Sequence, residues 1–153
     1  RSTEEIGNEK SFTHAISANN LTTDLNRTKE GWTRIDDGKD NLSGIWRITG
    51  RMADGKISEM PRRDRKTLKL LSATRFQWMA INPATKEFFG TGGGTYTFIN
   101  GKYTEYIEFF SRDSSRVGSS LTFDGSVKED VWNHSGKSSR GEPLNELWSK
   151  EKY

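Results

Sequence analysis

The stretch Thr95-Tyr96-Thr97-Phe98-Ile99-Asn100-Gly101-Lys102-Tyr103-Thr104-Glu105-Tyr106-Ile107 decides the fold of this chain. Two runs rich in aromatic and β-branched residues flank Asn100-Gly101, a pair suited to a two-residue type I′ turn because both turn positions take positive φ. The expectation is a hairpin of Gly94–Ile99 with Lys102–Ser111. Outward from it, from residue 42 on, apolar-aromatic runs recur at roughly ten-residue intervals between Gly, Asn, Asp or Ser, which is the rhythm of hairpins rather than of βαβ units. Strands are expected at Ile45–Gly50, at Thr67–Leu71 and at Arg75–Ile81, where alternation sets Phe76, Trp78 and Ala80 on one face and Gln77 and Met79 on the other. Turns are expected at Ala53-Asp54-Gly55 and Asn82-Pro83-Ala84-Thr85, with the chain returning through Glu87-Phe88-Phe89. Residues 119–124 and 127–134 are read as pairing around Asp124-Gly125, and residues 144–150 as closing the sheet.

Composition points the same way. The chain has 153 residues with fifteen glycines, three prolines and seventeen aromatic side chains, enough for one domain and suited to a pleated surface. No amphipathic helix interrupts the meander, so strands adjacent in sequence are expected to be adjacent in space. A long meander of this kind curls shut and so removes its edges. The expected fold is all-β, a single antiparallel up-and-down barrel of about eight to ten strands.

The net charge of +3, from 24 basic and 21 acidic residues, implies no nucleic-acid partner. The densest basic cluster, Arg62-Arg63-Asp64-Arg65-Lys66, reads as a solvated turn after Pro61. With no cysteine, a disulfide framework and a thiolate metal site are excluded. His14 and His134 are the only histidines and lack ligand spacing, so neither metal nor cofactor is expected. No apolar run approaches the ~20 residues of a membrane-spanning helix. The sequence starts at Arg1 without an initiator Met and reads as trimmed, which suits a secreted protein, a tag remnant and an excised domain alike. Sequons stand at Asn20, Asn26, Asn41 and Asn133.

Residues 1–41 have another texture, polar and rich in Asn and Thr. Phe12-Thr13-His14-Ala15 echoes Trp132-Asn133-His134-Ser135, and Glu30-Gly31-Trp32-Thr33-Arg34 echoes Glu146-Leu147-Trp148-Ser149-Lys150. This extension is read either as a linker or as the last hairpin of a preceding repeat, which through residues 1–36 would add to the barrel rim or to another molecule. The barrel proper is expected over 42–153.

Several constellations bear on chemistry. Gly90-Thr91-Gly92-Gly93-Gly94-Thr95 is glycine-rich like a phosphate loop, but strand rather than helix follows, so the glycines are read as a bend or a close backbone approach. Glu105 and Glu108 fall on opposite faces of one strand, which leaves Glu105 with Glu146 as the one carboxylate pair a glycosidase could use. An internal pairing of Glu146 with His134 or Lys150 explains the same residues without catalysis.

Leu42-Ser43-Gly44-Ile45-Trp46 resembles the Gly-x-Trp opening of lipocalins and related calycin barrels. That resemblance implies that Trp46 plugs the closed end and that a basic residue of the last strand, Lys150 or else Lys152, packs across it. Over residues 42–150, Thr67-Leu68-Lys69-Leu70-Leu71, Phe76-Gln77-Trp78, Phe88 to Thr97, Gly101 to Glu105, His134-Ser135-Gly136 and Asn145-Glu146-Leu147-Trp148 resemble an uncharacterised lipocalin-like domain family of secreted or membrane-associated proteins from Gram-negative gut bacteria. The resemblance implies a lipocalin-like barrel in a secreted, periplasmic or membrane-associated setting, and brings no activity.

Trp46, Phe76, Trp78, Tyr96, Phe98, Tyr103, Phe109, Phe123, Trp132 and Trp148 are candidates for one inward-facing set. The sequence is compatible with an interior filled by these rings and with a cup that keeps polar anchors, the usual recipe for a ligand site. The first reading is a binding module for a small apolar or aromatic ligand, with Trp78, Tyr103, Glu105, Trp132 and His134 lining the site and Gly44, Trp46 and Lys150 in structural roles. The alternatives are a solid structural or interaction module and, third, a carbohydrate-acting enzyme; no catalytic residue is assigned.

Overall fold

The computed structural model describes residues 2–6, 10–17, 19–25, 28–53 and 55–152, and the chain divides into two compact units, Arg1–Asp37 and Gly38–Tyr153. Asn26 of the second sequon, Asp54 of the first expected turn and the side chains of residues 1–14 lie outside the described residues. The first unit is a four-stranded antiparallel meander of β1 (Ser2–Ile6), β2 (Lys10–Ile16), β3 (Asn20–Leu25) and β4 (Thr28–Thr33). Leu21 of β3 faces Trp32 of β4 across this sheet, and Trp32 is exposed.

The second unit is an all-β closed antiparallel barrel. Its strands are β5 (Gly44–Ala53), β6 (Lys56–Glu59), β7 (Lys66–Leu71), β8 (Arg75–Asn82), β9 (Glu87–Ile99), β10 (Lys102–Phe110), β11 (Ser120–Lys128), β12 (Val131–Lys137) and β13 (Pro143–Lys150), with one short 3₁₀ turn at Ser114–Arg116. Eight strands run up and down in sequence order, and β13 pairs back onto β5 to close the sheet, Trp148 facing Ile48 and Lys150 facing Trp46. The ninth, β6, is extra. It folds onto the far half of β5 (Gly50–Ala53), whose near half (Gly44–Arg47) pairs with β7.

The expected hairpin is present, with Ile99 facing Lys102 and Asn100 at a φ of 50°. Two other expectations need correction. The β11–β12 turn is Glu129-Asp130, not Asp124-Gly125. Asp124 pairs with Lys102 and Gly125 with His134, both within the ladder. Gly125 serves packing there, because a Cβ would lie 3.2 Å from both the Phe98 and Trp132 rings. The second correction concerns Phe109, which is exposed. A bulge between Ile107 and Phe109 shifts the alternation by one residue, so Phe110 turns inward against Trp78 with ring centroids 5.5 Å apart.

The glycine run lies inside one continuous strand, β9, and permits close approach. A Cβ on Gly94 would come within 2.0 Å of the Tyr106 carbonyl oxygen, and one on Gly92 within 2.6 Å of the Trp78 indole. Trp46, Trp132, Tyr103 and Leu42 are fully buried. Tyr103 is central, its ring 5.0 to 6.5 Å from those of Trp132, Tyr96, His134, Phe123 and Phe76. Such ring pairs contribute about 0.5–1.5 kcal/mol each beyond their buried area. At the closed end the Trp46 indole donates to the Leu42 carbonyl at 2.7 Å, and the Lys150 ammonium sits 5.4 Å above the Trp46 ring.

Candidate functional site

The packed layer fills only part of the barrel. Toward the end away from Trp46 the interior holds a cavity of about 320 Å³ whose wall includes Lys69, Trp78, Glu105, Phe110, His134 and Glu146. Strand alternation brings them there. Lys69 shares its inward face with Leu71 on β7, Glu105 lies between Tyr103 and Ile107 on β10, and His134 and Glu146 are two residues from Trp132 and Trp148 on β12 and β13.

The floor is charged. The Lys69 ammonium donates to the Glu105 carboxylate at 2.7 Å, with both residues about 95% buried (4% and 5% exposed). The same ammonium lies 5.1 to 5.8 Å from the ring centroids of Tyr103, Trp132, Trp148 and Phe76. Replacing a buried ion pair by apolar groups is often neutral or stabilising, so stability alone does not account for charges kept here.

Glu146 accepts the Trp148 indole N–H at 3.1 Å, and His134 Nδ1 is 3.5 Å from the same carboxylate. Burial and the Lys69 charge hold His134 below its ordinary pKa. Burial works to raise the Glu146 pKa, but the contact with His134, the Lys69 charge and the Trp148 donor prevail and hold it below the usual carboxylate range. Burial, reinforced by Glu105, pushes the Tyr103 phenol well above its ordinary value. Among the described residues, neither His134 nitrogen has a hydrogen-bond partner of good geometry. A glycosidase needs one carboxyl raised and protonated as general acid. Glu146 is held below the usual carboxylate range, the opposite of what a general acid needs, and Glu105 is ion-paired to Lys69.

Of the five residues expected to line a site, Trp78, Glu105 and His134 stand on the cavity wall. Tyr103 and Trp132 lie in the fully buried layer and off that wall. The inward position of Lys69 is not evident from sequence because Leu68, Leu70 and Leu71 obscure the alternation of β7. The signal available was register: Leu71 faces Phe76 and Lys69 faces Trp78 across a short connection, and facing residues share a side of the sheet.

The mouth is basic. Arg51, Arg65 and Arg112 border the cavity, and an adjoining hollow of about 370 Å³ shares Ile48, Arg51, Arg65 and Thr67 with it while adding Arg47, Arg63 and Lys66. Of the cluster Arg62–Lys66, read as a solvated turn, Arg63, Arg65 and Lys66 thus also contribute to a cavity wall.

No protein-family model and no curated protein matches the chain. Among solved structures, an uncharacterised protein from Bacteroides eggerthii aligns with a TM-score of 0.48 at 12% identity, over 71% of this chain and 98% of that one.

Proposed function

We propose that residues 42–153 form a lipocalin-like binding module, secreted or periplasmic, that holds a small apolar or aromatic molecule in the cup at the open end of the barrel, with residues 1–41 as an N-terminal extension. The observation that carries this reading is the cavity of about 320 Å³ floored by a buried ion pair. Aromatic walls with a few convergent polar groups are the ordinary make-up of small-molecule sites. Trp78 and Phe110 offer rings, while Lys69, Glu105, Glu146 and His134 Nε2, unpartnered among the described residues, offer donors and acceptors. The Gly44-Ile45-Trp46 opening with Lys150 lying across Trp46 supports the lipocalin-like description.

A solid interaction module is the second reading, and the packing of Trp46, Tyr103 and Trp132 in the closed half favours it. Titration with the uncharged fluorophore N-phenyl-1-naphthylamine separates the two. The cup predicts saturable one-to-one binding, weakened at least about tenfold in Trp78→Ala and in Phe110→Ala while both variants remain folded. Absence of saturable binding, or affinity unchanged in both variants, contradicts it.

A further inference from the structure

We infer that the ligand of this cup is an amphipathic organic anion, its apolar body against Trp78 and Phe110 and its anionic group held at the mouth by Arg51, Arg65 and Arg112. The inference rests on the reading of the cup as a ligand site and adds the chemical class.

Three observations lead to it. First, the charged groups of the floor have polar partners close by, while the arginines of the mouth have no carboxylate partner among the described residues. Lys69 is spent on Glu105, and Glu146 is held by His134 and Trp148. None of Arg51, Arg65 and Arg112 is in an ion pair among the described residues.

Second, the two adjoining hollows, which share four wall residues, gather an excess of positive charge. Seven cationic residues line them against three carboxylates, Glu59, Glu105 and Glu146, an excess of four where the whole chain carries +3. A concave site lined by one sign of charge raises the local concentration of counter-charged ligands.

Third, two of the arginines are held in place by uncharged groups. The Arg112 Nε donates to the Phe89 carbonyl at 3.1 Å, and the guanidinium lies 5.2 Å from the Trp78 ring centroid. The side chain crosses Gly90, where a Cβ would stand 2.6 Å from Nε. The Arg65 guanidinium lies 4.3 Å over the Phe89 ring. Stacking orients a guanidinium and leaves N–H groups for the planar, bidentate recognition of a carboxylate, sulfonate or phosphate. Because Arg112 lies over Trp78, a ring that touches Trp78 brings its anionic substituent within reach of the mouth.

The test compares two fluorophores that differ by one sulfonate, 1-anilinonaphthalene-8-sulfonate and the uncharged N-phenyl-1-naphthylamine, on the full chain. The sulfonate is expected to bind at least about tenfold more tightly, as charge-assisted hydrogen bonds allow, with an advantage that shrinks as salt rises. In Arg51→Gln, Arg65→Gln and Arg112→Gln combined, the ratio of the two affinities should fall to about one. Lys128→Gln, an equal change of charge per residue near the closed end, should leave the ratio as it is. Equal affinities in the wild-type protein, or a salt-independent ratio, overturn the anionic class while the cup stands; if neither probe binds, the cup itself falls. Should the triple variant fail to fold, the salt dependence in the wild-type protein still decides. Capture by phosphatidylglycerol vesicles without binding of the soluble sulfonate also overturns the inference, because it places the arginines on a lipid surface.

Discussion

Lys69 and Glu105 hold the floor of the cup, and their pairing makes a measurable demand on stability. Lys69→Met leaves the Glu105 carboxylate buried and alone, which is expected to cost about 3–5 kcal/mol in denaturant unfolding, while Lys69→Met combined with Glu105→Leu restores most of it. A single-variant loss below about 1 kcal/mol would mean that the pair is solvated. The His134 and Glu146 pair sets a pH dependence of definite sign. His134 has a lowered pKa in the fold, so the unfolded histidine, titrating near 6.5, takes up its proton first as the medium is acidified. The stability it contributes is full above pH ~6.5 and is lost as pH falls through the folded value. Glu146 is also lowered, so its contribution is full above ~4.3 and is lost below that. The melting temperature should therefore fall in two steps on acidification, and His134→Phe should abolish the first. A melting temperature flat from pH 7 down to pH 5 contradicts this account of His134.

At the scale of elements, the closed end depends on backbone that only glycine accepts easily. Gly44 has a φ of 135°, and a Cβ there would lie 2.6 Å from Lys150 Cε. Gly44→Ala should cost about 1–3 kcal/mol, read from chemical denaturation. The β11–β12 turn holds the opposite case, a Glu129 at a φ of 55°. Glu129→Gly is expected to stabilise the barrel by about 0.5–1 kcal/mol by relieving that backbone. Asn100-Gly101 was legible because its residues suit their dihedrals, whereas Glu129 occupies a left-handed position that its residue type does not announce. Asp124-Gly125 has turn chemistry but is recruited into the ladder, where Gly125 makes room for Phe98 and Trp132. The bulge before Phe109 has no sequence signature, so the inward turn of Phe110 is not legible from alternation.

For the whole molecule, the rhythm of turns and aromatic runs was enough to expect a closed all-β meander. The placement of Trp78, Glu105 and His134 on one inner wall follows from alternation within their strands. The basic mouth was not legible, because Arg51, Arg65 and Arg112 are far apart in sequence and meet only where β5, β7 and β10 reach the same end of the barrel. If the barrel unit is self-sufficient, removing residues 1–37 should leave its melting temperature within about 2 °C and its probe affinity unchanged; a larger loss of either would make the N-terminal sheet part of the functional unit. The central claim is that the ligand enters the cup rather than a surface groove such as the one bordered by Leu70, Gln77 and Phe109 on the outer face. The most direct measurement is the set of indole N–H signals from the five tryptophans in a ¹H–¹⁵N spectrum recorded during titration with N-phenyl-1-naphthylamine. The cup predicts saturable shifts of Trp78 and Trp148, which line it, while exposed Trp32 stays still. Shifts confined to Trp32, or backbone shifts confined to Leu70, Gln77 and Phe109 with both cup indoles unmoved, would contradict it.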